Sequence, residues 1–288
     1  MNFPVLEMFH SIQGEGIFTG TPSIFIRVAG CNLRCVFKGS RCDTPYSSFE
    51  LDKPIVDTVE GSIEYFKEFY KQCPNTTHIV FTGGEPMLYQ VQLMEFIKGI
   101  ADLGDFKYTV ETNGSLFNEI GLILSDEWES WIDLWSISPK LSTSVDWECK
   151  YLNENQRDSH NKNRINIENL ASYINNTIVM HYEYMDEDED YNSNKYFPLI
   201  DNRPKFQLKF VYSGEESLVE IKEILDKLVE ESGYPKEIIY GSVLLMPEAG
   251  SKDQLENNSE ECVKVCLENG FRFCDRLHLR IWGNKRCV

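Results

Sequence analysis

The sequence predicts an α/β fold built on a mostly parallel sheet. Two observations carry that prediction. Apolar runs of strand length alternate with amphipathic helical stretches along most of the chain, and such alternation puts helices on the faces of a parallel sheet. In five places a polar or glycine-rich motif falls where a strand ends: the cysteine loop after Ala29, then GGE, ETNG, SPK and MPE. Sites in such sheets collect at the carboxyl ends of the strands, so the five motifs are expected at one mouth.

Taken in order, Pro22 to Ala29 reads as a buried strand rich in Ile, Phe and Val. Asp57 to Gln72 reads as a helix, with Asp57 and Glu60 as a capping pair, Val59, Ile63, Phe66 and Tyr70 on one face, and Pro74 as the stop. His78 to Phe81 is a strand that runs into Thr82-Gly83-Gly84, and Tyr89 to Leu103 is a second amphipathic helix. Phe106 to Val110 is a strand ending in Glu111-Thr112-Asn113-Gly114, Leu116 to Leu124 a helix, and Leu134 to Ile137 a strand ending in Ser138-Pro139-Lys140. Phe206 to Tyr212 is a strand, and Glu215 to Glu231 a helix closed by Gly233 and Pro235. Ser242 to Met246 reads as a strand, Asp253 to Asn269 as a helix and Arg276 to Trp282 as a last strand. Between Ser142 and Pro204 the pattern breaks into an Asn-, Asp-, Glu- and Tyr-rich stretch that includes DEDED. One helix, Ile167 to Ile174, and a short apolar patch, Thr177 to Met180, are legible inside it. The expectation is a single domain over residues 1–288 with an acidic surface insertion at about 142–204, read as an excursion rather than a substrate lid.

Composition narrows the partners. A formal net charge of −18 sets the surface against nucleic acid and anionic membrane. No apolar run reaches spanning length and no signal peptide is legible at the start. Nine cysteines, three of them packed into one run, suggest a reducing cytoplasm rather than a disulfide framework.

That run is GCNLRCVFKGSRCDTPY, Gly30 to Tyr46, with Cys31, Cys35 and Cys42 in a C-x3-C-x6-C spacing. Three thiolates fit an iron–sulfur cluster with one iron left open to another ligand. They equally fit a zinc site lacking a ligand, or three unrelated thiols. Cys262 and Cys266, four apart, read as packed thiols rather than an accessory metal pair.

The wider set of motifs resembles a known family. HSIQGEG (His10 to Gly16), FIRVAGCNLRC (Phe25 to Cys35), CDT (Cys42 to Thr44), FTGGEP (Phe81 to Pro86), ETNGS (Glu111 to Ser115), SISPK (Ser136 to Lys140), QLKFV (Gln207 to Val211), LMPE (Leu245 to Glu248) and RLHLRIWG (Arg276 to Gly283) are similar, in order, to the blocks of the radical S-adenosylmethionine superfamily and, within it, of the 7-carboxy-7-deazaguanine synthases. The one marked departure is the spacing of the last two cysteines, where Lys38, Gly39, Ser40 and Arg41 read as an insertion that leaves Cys42 as the third ligand.

The resemblance implies an incomplete (β/α) barrel of about six mostly parallel strands with flanking helices. It implies a 4Fe-4S cluster on Cys31, Cys35 and Cys42, S-adenosyl-L-methionine on its open iron, and Mg2+ on Thr44. It implies cofactor contacts from Arg41, Asp43, Gly83, Gly84, Glu111, Asn113, Ser138, Pro139 and Lys140. It implies contacts to 6-carboxy-5,6,7,8-tetrahydropterin from Ile12, Gln13, Gly14, Glu15, Arg27 and Thr82, with His10 and His278 as further polar candidates. Arg27 suits the substrate carboxylate, because a buried cation is costly unless paired and a planar guanidinium can bind a carboxylate with two hydrogen bonds. The expected reaction is a lyase ring contraction to 7-carboxy-7-deazaguanine with loss of ammonia, on the route to deazapurines such as queuosine. An external electron donor of flavodoxin or ferredoxin type is implied, and a homodimer is compatible. Two other classes stand beside this reading: a glycyl-radical activating enzyme of the same superfamily, and a non-catalytic iron–sulfur or zinc module that binds a partner protein.

Overall fold

The computed structural model describes residues 1–38, 40–117, 132–179, 199–200 and 203–288. Its strands are β1 (Asn2–Ile12), β2 (Pro22–Val28), β3 (Val36–Phe37), β4 (Ser40–Arg41), β5 (Val56–Thr58), β6 (His78–Gly83), β7 (Lys107–Thr112), β8 (Leu134–Ile137), β9 (Leu199–Ile200), β10 (Arg203–Pro204), β11 (Phe206–Tyr212), β12 (Val243–Pro247) and β13 (Arg272–Phe273). The helices are α1 (Val59–Tyr70), α2 (Gln90–Ile100), α3 (Glu154–Asn163), α4 (Ile167–Val179), α5 (Glu215–Ser232), α6 (Lys236–Gly241), α7 (Lys252–Asn269) and α8 (Leu277–Trp282). Among the described residues, one sheet takes nine strands in the order β13-β12-β11-β8-β7-β6-β2-β1-β5. From β2 to β13 the pairings are parallel, and β1 runs antiparallel between β2 and β5. This is the expected partial (β/α) barrel, widened at its first edge.

The pleat divides each strand between two environments. Ile26, Phe81, Val110, Trp135 and Leu208 point to the helices and join one core with Phe66 of α1, Phe96 and Ile97 of α2, and Leu225 and Leu228 of α5. Alternate residues point into the barrel. Among the described residues, no helix is long and apolar enough to cross a membrane.

Four expectations need correction. β1 was not foreseen, because Pro4 interrupts its amide series and its register slips between Val5 and Glu7. The cap of α1 is Thr58, whose hydroxyl accepts from the Gly61 N–H at 3.2 Å, while Asp57 is still extended in β5. Arg276 to Trp282 is not a strand: Leu277–Trp282 forms α8, ended by Gly283 at φ 62°. Its alternating leucines imitate a strand, but Leu279 is buried while Ile281 is 52% exposed. The stretch from Ser142 is not merely a surface excursion. α4 sends Leu170, Ala171, Tyr173 and Ile174 into the main core. α3 buries His160, whose Nδ1 accepts the Arg34 N–H at 3.0 Å in the middle of the cysteine loop. The DEDED run and most of the expected Leu116 to Leu124 helix lie outside the described residues, as does Gly39.

Candidate active site

The cysteine loop leaves β2 and is tied down at once. Gly30 N–H donates to Ser47 O at 2.8 Å, and Glu85 N–H to Gly30 O at 2.8 Å. These bonds bring the Gly83-Gly84 turn so close that a Cβ on Gly84 would lie 1.9 Å from the Gly30 carbonyl oxygen, and one on Gly83 2.3 Å from that of Val28. The two glycines are therefore demanded by the protein's own backbone. Glu85 is wholly buried and splices two strand ends: Oε1 accepts from Met87 N–H and the Thr112 hydroxyl, and Oε2 from Asn113 N–H at 2.7 Å.

β3 and β4 pair as a two-stranded hairpin, to which the extra residues contribute Ser40 and Arg41. Val36 pairs with Arg41 and Phe37 with Ser40, and Lys38 takes the left-handed angle at φ 42°. The next rung sets Cys42 opposite Cys35, with Cys42 N–H donating to Cys35 O at 3.0 Å. Burial, and then the Glu85 charge, push the Cys31 thiol up to about 12, and burial also raises Cys35 and Cys42. Lys140 lies close enough to offset part of that rise at all three. Among the described residues, no three Cys, His, Asp or Glu side chains converge on a single-ion site. A zinc ion needs its sulfurs about 2.3 Å from one centre, whereas a cluster spreads three thiolates over three irons. A buried Cys35 flanked by half-buried Cys31 and Cys42, beside a cation and, among the described residues, joined by no fourth protein ligand, fits the cluster.

Below the loop, six strands contribute one residue each to a single row across the inner face of the sheet. Glu7 pairs with Arg27, and Arg27 with Thr82. Phe81 pairs with Val110, which sets Thr82 beside Glu111, and the Thr82 hydroxyl donates to Glu111 Oε2 at 2.9 Å. Glu111 pairs with Ser136, and Ser136 with Gln207, whose Nε2 donates to the Ser136 hydroxyl at 2.7 Å. Two residues further along the chain come Gly84, Asn113, Ser138 and Lys209.

The QGEG loop closes one side of this floor. Gln13 Nε2 donates to Glu111 Oε1 at 3.2 Å, and Gln13 Oε1 accepts from Glu15 N–H at 3.2 Å. Glu15 meets Lys209 Nζ at 3.0 Å and Arg276 Nε at 3.2 Å. Burial alone would raise the Glu15 carboxyl, but Lys209 and Arg276 hold it far below the usual carboxylate range. Lys209 is likewise kept charged against its burial by Glu15 and Glu111. Ile12 ends β1. Gly14 faces the His278 ring, where a Cβ would meet Nδ1 at 2.1 Å, and its carbonyl accepts from Leu277 N–H at 2.9 Å. His10 is spent on the Thr76 hydroxyl at 2.8 Å.

Most of the expected residues converge on this mouth. Asn113 Nδ2 donates to Asn32 Oδ1 at 3.0 Å, tying ETNG to the cysteine loop. Lys140 Nζ donates to the Ser138 hydroxyl at 2.9 Å, and Pro139 lies between them. Asp43 pairs with Arg276 Nη2 at 2.6 Å. Thr44 precedes a 3-10 turn at its cap position, yet its hydroxyl makes no capping bond. Arg41 is the exception: its guanidinium turns outward to Glu50 at 2.7 Å and to the Phe49 and Tyr151 rings. Sequence reasoning passed over Glu7, Asn32, Glu85, Ser136, Gln207, Lys209 and Arg276. Polar residues at alternate positions of FQLKFVY were a legible signal for Gln207 and Lys209; Glu7 had none while β1 was unseen.

Residues 25–192 match the model of the radical SAM superfamily. A 7-carboxy-7-deazaguanine synthase from Rhodopirellula baltica is 30% identical over 98% of this chain and 87% of its own length. The chain belongs to the 7-carboxy-7-deazaguanine synthase family. A second member, from Halobacterium salinarum, is 28% identical over 98% of this chain and 91% of its own. A crystal structure of QueE from Escherichia coli shares the fold at TM-score 0.55 and 19% identity, over 96% of this chain and 95% of that one. With the radical SAM family come a 4Fe-4S cluster, S-adenosylmethionine and the need for an electron donor.

Proposed function

We infer that this chain is a 7-carboxy-7-deazaguanine synthase, which contracts the ring of 6-carboxy-5,6,7,8-tetrahydropterin to 7-carboxy-7-deazaguanine with loss of ammonia. The observation that carries the reading is the largely buried polar row from Glu7 to Gln207 beneath a three-thiol loop. It sits in a chain aligned nearly end to end with enzymes of that name. When bound, the cluster and S-adenosylmethionine supply a carbon-centred radical that removes a hydrogen atom from the substrate.

The protein's share is positioning and charge. Cys31, Cys35 and Cys42 would hold the cluster, and Arg41, Asp43 and the backbone of Gly83 and Gly84 would contact the methionyl end of S-adenosylmethionine. Asn113 and Glu111 would meet its ribose, with Ser138, Pro139 and Lys140 as further cofactor contacts. Gln13 and Glu15 bind the edge of the pterin. Glu15, ionised beside Lys209 and Arg276, can only accept, so it selects the N–H groups of the ring. Thr82 and Ile12 complete the floor. Arg27 takes the substrate carboxylate, and the Thr44 hydroxyl would be the protein's oxygen ligand to a Mg2+ ion, which would orient that carboxylate. The enzyme acts as one domain in the cytoplasm, reduced by a flavodoxin- or ferredoxin-type donor, and a homodimer is compatible with this reading.

The test is anaerobic reconstitution with iron and sulfide, then incubation with the pterin and mass analysis of products. Alanine at any of Cys31, Cys35 or Cys42 should abolish cofactor cleavage. Arg27→Ala should lose at least about 100-fold in pterin turnover while retaining uncoupled cofactor cleavage, and Thr44→Ala should blunt the response to Mg2+. Stoichiometric zinc with no iron uptake, or no deazaguanine product from a fully loaded enzyme, would refute the reading.

A further inference from the structure

We propose that Arg286 is a positioning residue for the anion-binding end of the pocket, acting through Glu7 on Arg27. The inference rests on the reading of Arg27 as the partner of the substrate carboxylate. Glu7 begins the polar row, and both its oxygens are engaged. Oε1 accepts from Arg27 Nε at 2.6 Å and from the Tyr46 hydroxyl at 3.2 Å. Oε2 accepts from Arg286 Nε at 2.8 Å and from the Cys287 thiol at 3.0 Å. A carboxylate offers about four acceptor positions, so Glu7 is saturated. Arg27, in contrast, is half used. Among the described residues, no protein acceptor meets its Nη1 or Nη2, and the Phe9 and Tyr46 rings flank its guanidinium at 5.9 Å each. That free pair of nitrogens is what a carboxylate needs for two parallel hydrogen bonds.

Arg286 keeps the pair free. Its guanidinium lies 3.5 Å over the Tyr46 ring, and its Nη1 donates to Asp52 at 2.7 Å. Fixed in this way, it draws the second oxygen of Glu7 to itself. Without Arg286 that oxygen has a strong donor close by in Arg27, and a two-pronged Glu7–Arg27 pair is the geometry such groups favour. The pair would take one of the two terminal nitrogens meant for the substrate and so break the fork that a carboxylate needs. Arg286, from the RLHLRIWG end of the chain, thus decides how much of Arg27 faces the pocket.

The test is a fluorescence titration of cluster-reconstituted protein, with S-adenosylmethionine present, against 6-carboxypterin and against 6-methylpterin, which lacks the carboxylate. Arg286→Met should weaken 6-carboxypterin about tenfold and leave 6-methylpterin as in the parent. In a Glu7→Gln background, where no carboxylate competes for Arg27, the same substitution should cost less than about twofold. Arg286→Lys, which keeps a donor toward Glu7, should recover part of the loss. Arg286 is 41% exposed on its side chain, and the thermal midpoint of each variant checks its folding. Parent-like 6-carboxypterin binding by Arg286→Met, an equal loss for 6-methylpterin, or an equal loss in the Glu7→Gln background overturns the proposal. Arg27→Ala separates this failure from that of the reading beneath it. Loss in Arg27→Ala with none in Arg286→Met removes Arg286 alone; no loss in Arg27→Ala removes the anion site itself.

Discussion

Gly84 sits where a Cβ would meet backbone more closely than at any other glycine with described surroundings. Its missing side chain lets the Gly30 carbonyl, and with it the start of the cysteine loop, lie against the end of β6. An alanine there would meet the carbonyl groups of both Gly30 and Ser47, with Gly30 C and Ser47 O at 2.4 and 2.7 Å, and these nearest atoms are all backbone, with no flexible side chain to displace. Gly84→Ala should cost about 2–4 kcal/mol and reduce iron uptake. Gly233→Ala is the comparison: it sits at φ 72° with nothing within 4 Å, so only backbone strain of about 1–2 kcal/mol is expected. Urea midpoints and iron content measure both, and equal costs would contradict the close-approach argument.

At the scale of elements, the β3–β4 hairpin explains how a longer spacing keeps one cluster. Four extra residues add two to each arm, and side chains alternate with period two along a strand. Cys35 and Cys42 therefore remain a facing pair, one rung beyond Val36 and Arg41. Deleting Lys38 to Arg41 should preserve iron uptake, although it removes the Lys38–Glu248 and Arg41–Glu50 ion pairs. Deleting three residues instead of four breaks the parity and should fail to hold a four-iron cluster. Iron and sulfide content with the cluster's absorption would decide, and equal cluster content in the two deletions would sink the parity argument. The same hairpin shows why α3 is close by: Val36 packs with Cys149 and Leu152, so the segment after β8 covers the loop rather than drifting from it.

For the molecule as a whole, two buried imidazoles set its response to acid. His78 bridges the Ser23 and Thr109 hydroxyls at 2.7 and 2.8 Å. His160 accepts the Arg34 N–H on Nδ1, so its other nitrogen carries the hydrogen facing Ser144. Burial lowers both from 6.5 to about 4. The unfolded chain therefore takes up these protons first, and stability falls as pH drops from about 6.5 toward about 4. The full loss is on the order of 3 kcal/mol for each ring. Glu15 has the opposite sense of charge and the same direction of effect. It is depressed from 4.5, so its contribution is whole above that value and is lost only at more acid pH. Urea midpoints between pH 7 and pH 4.5 should fall in the parent and fall less in His78→Gln/His160→Gln. A flat parent profile would show that these rings are not held neutral.

The sequence by itself determined the alternation of strands and helices, the three-thiol loop and the gathering of five motifs at one end of the sheet. Those follow from local signals: apolar period, turn glycines and cysteine spacing. The family resemblance, not a strand-end signal, grouped Gln13, Glu15, Arg27 and Thr82 as substrate contacts and set Glu111 with the cofactor contacts; the structure joins them in one hydrogen-bonded and ion-paired set with Lys209. Only the tertiary structure decided what lies opposite what. Glu7 enters the row because an antiparallel β1 pairs with β2, a contact that no residue of HSIQGEG announces. Arg276 and Arg286 reach Glu15 and Glu7 from the far end of the chain, and α8 defeats its own alternating pattern because Leu279 has a core to enter and Ile281 does not. Register, burial and long-range charge pairing depend on which surfaces the packed chain brings face to face, and that information is spread over the whole sequence rather than written in any one stretch of it.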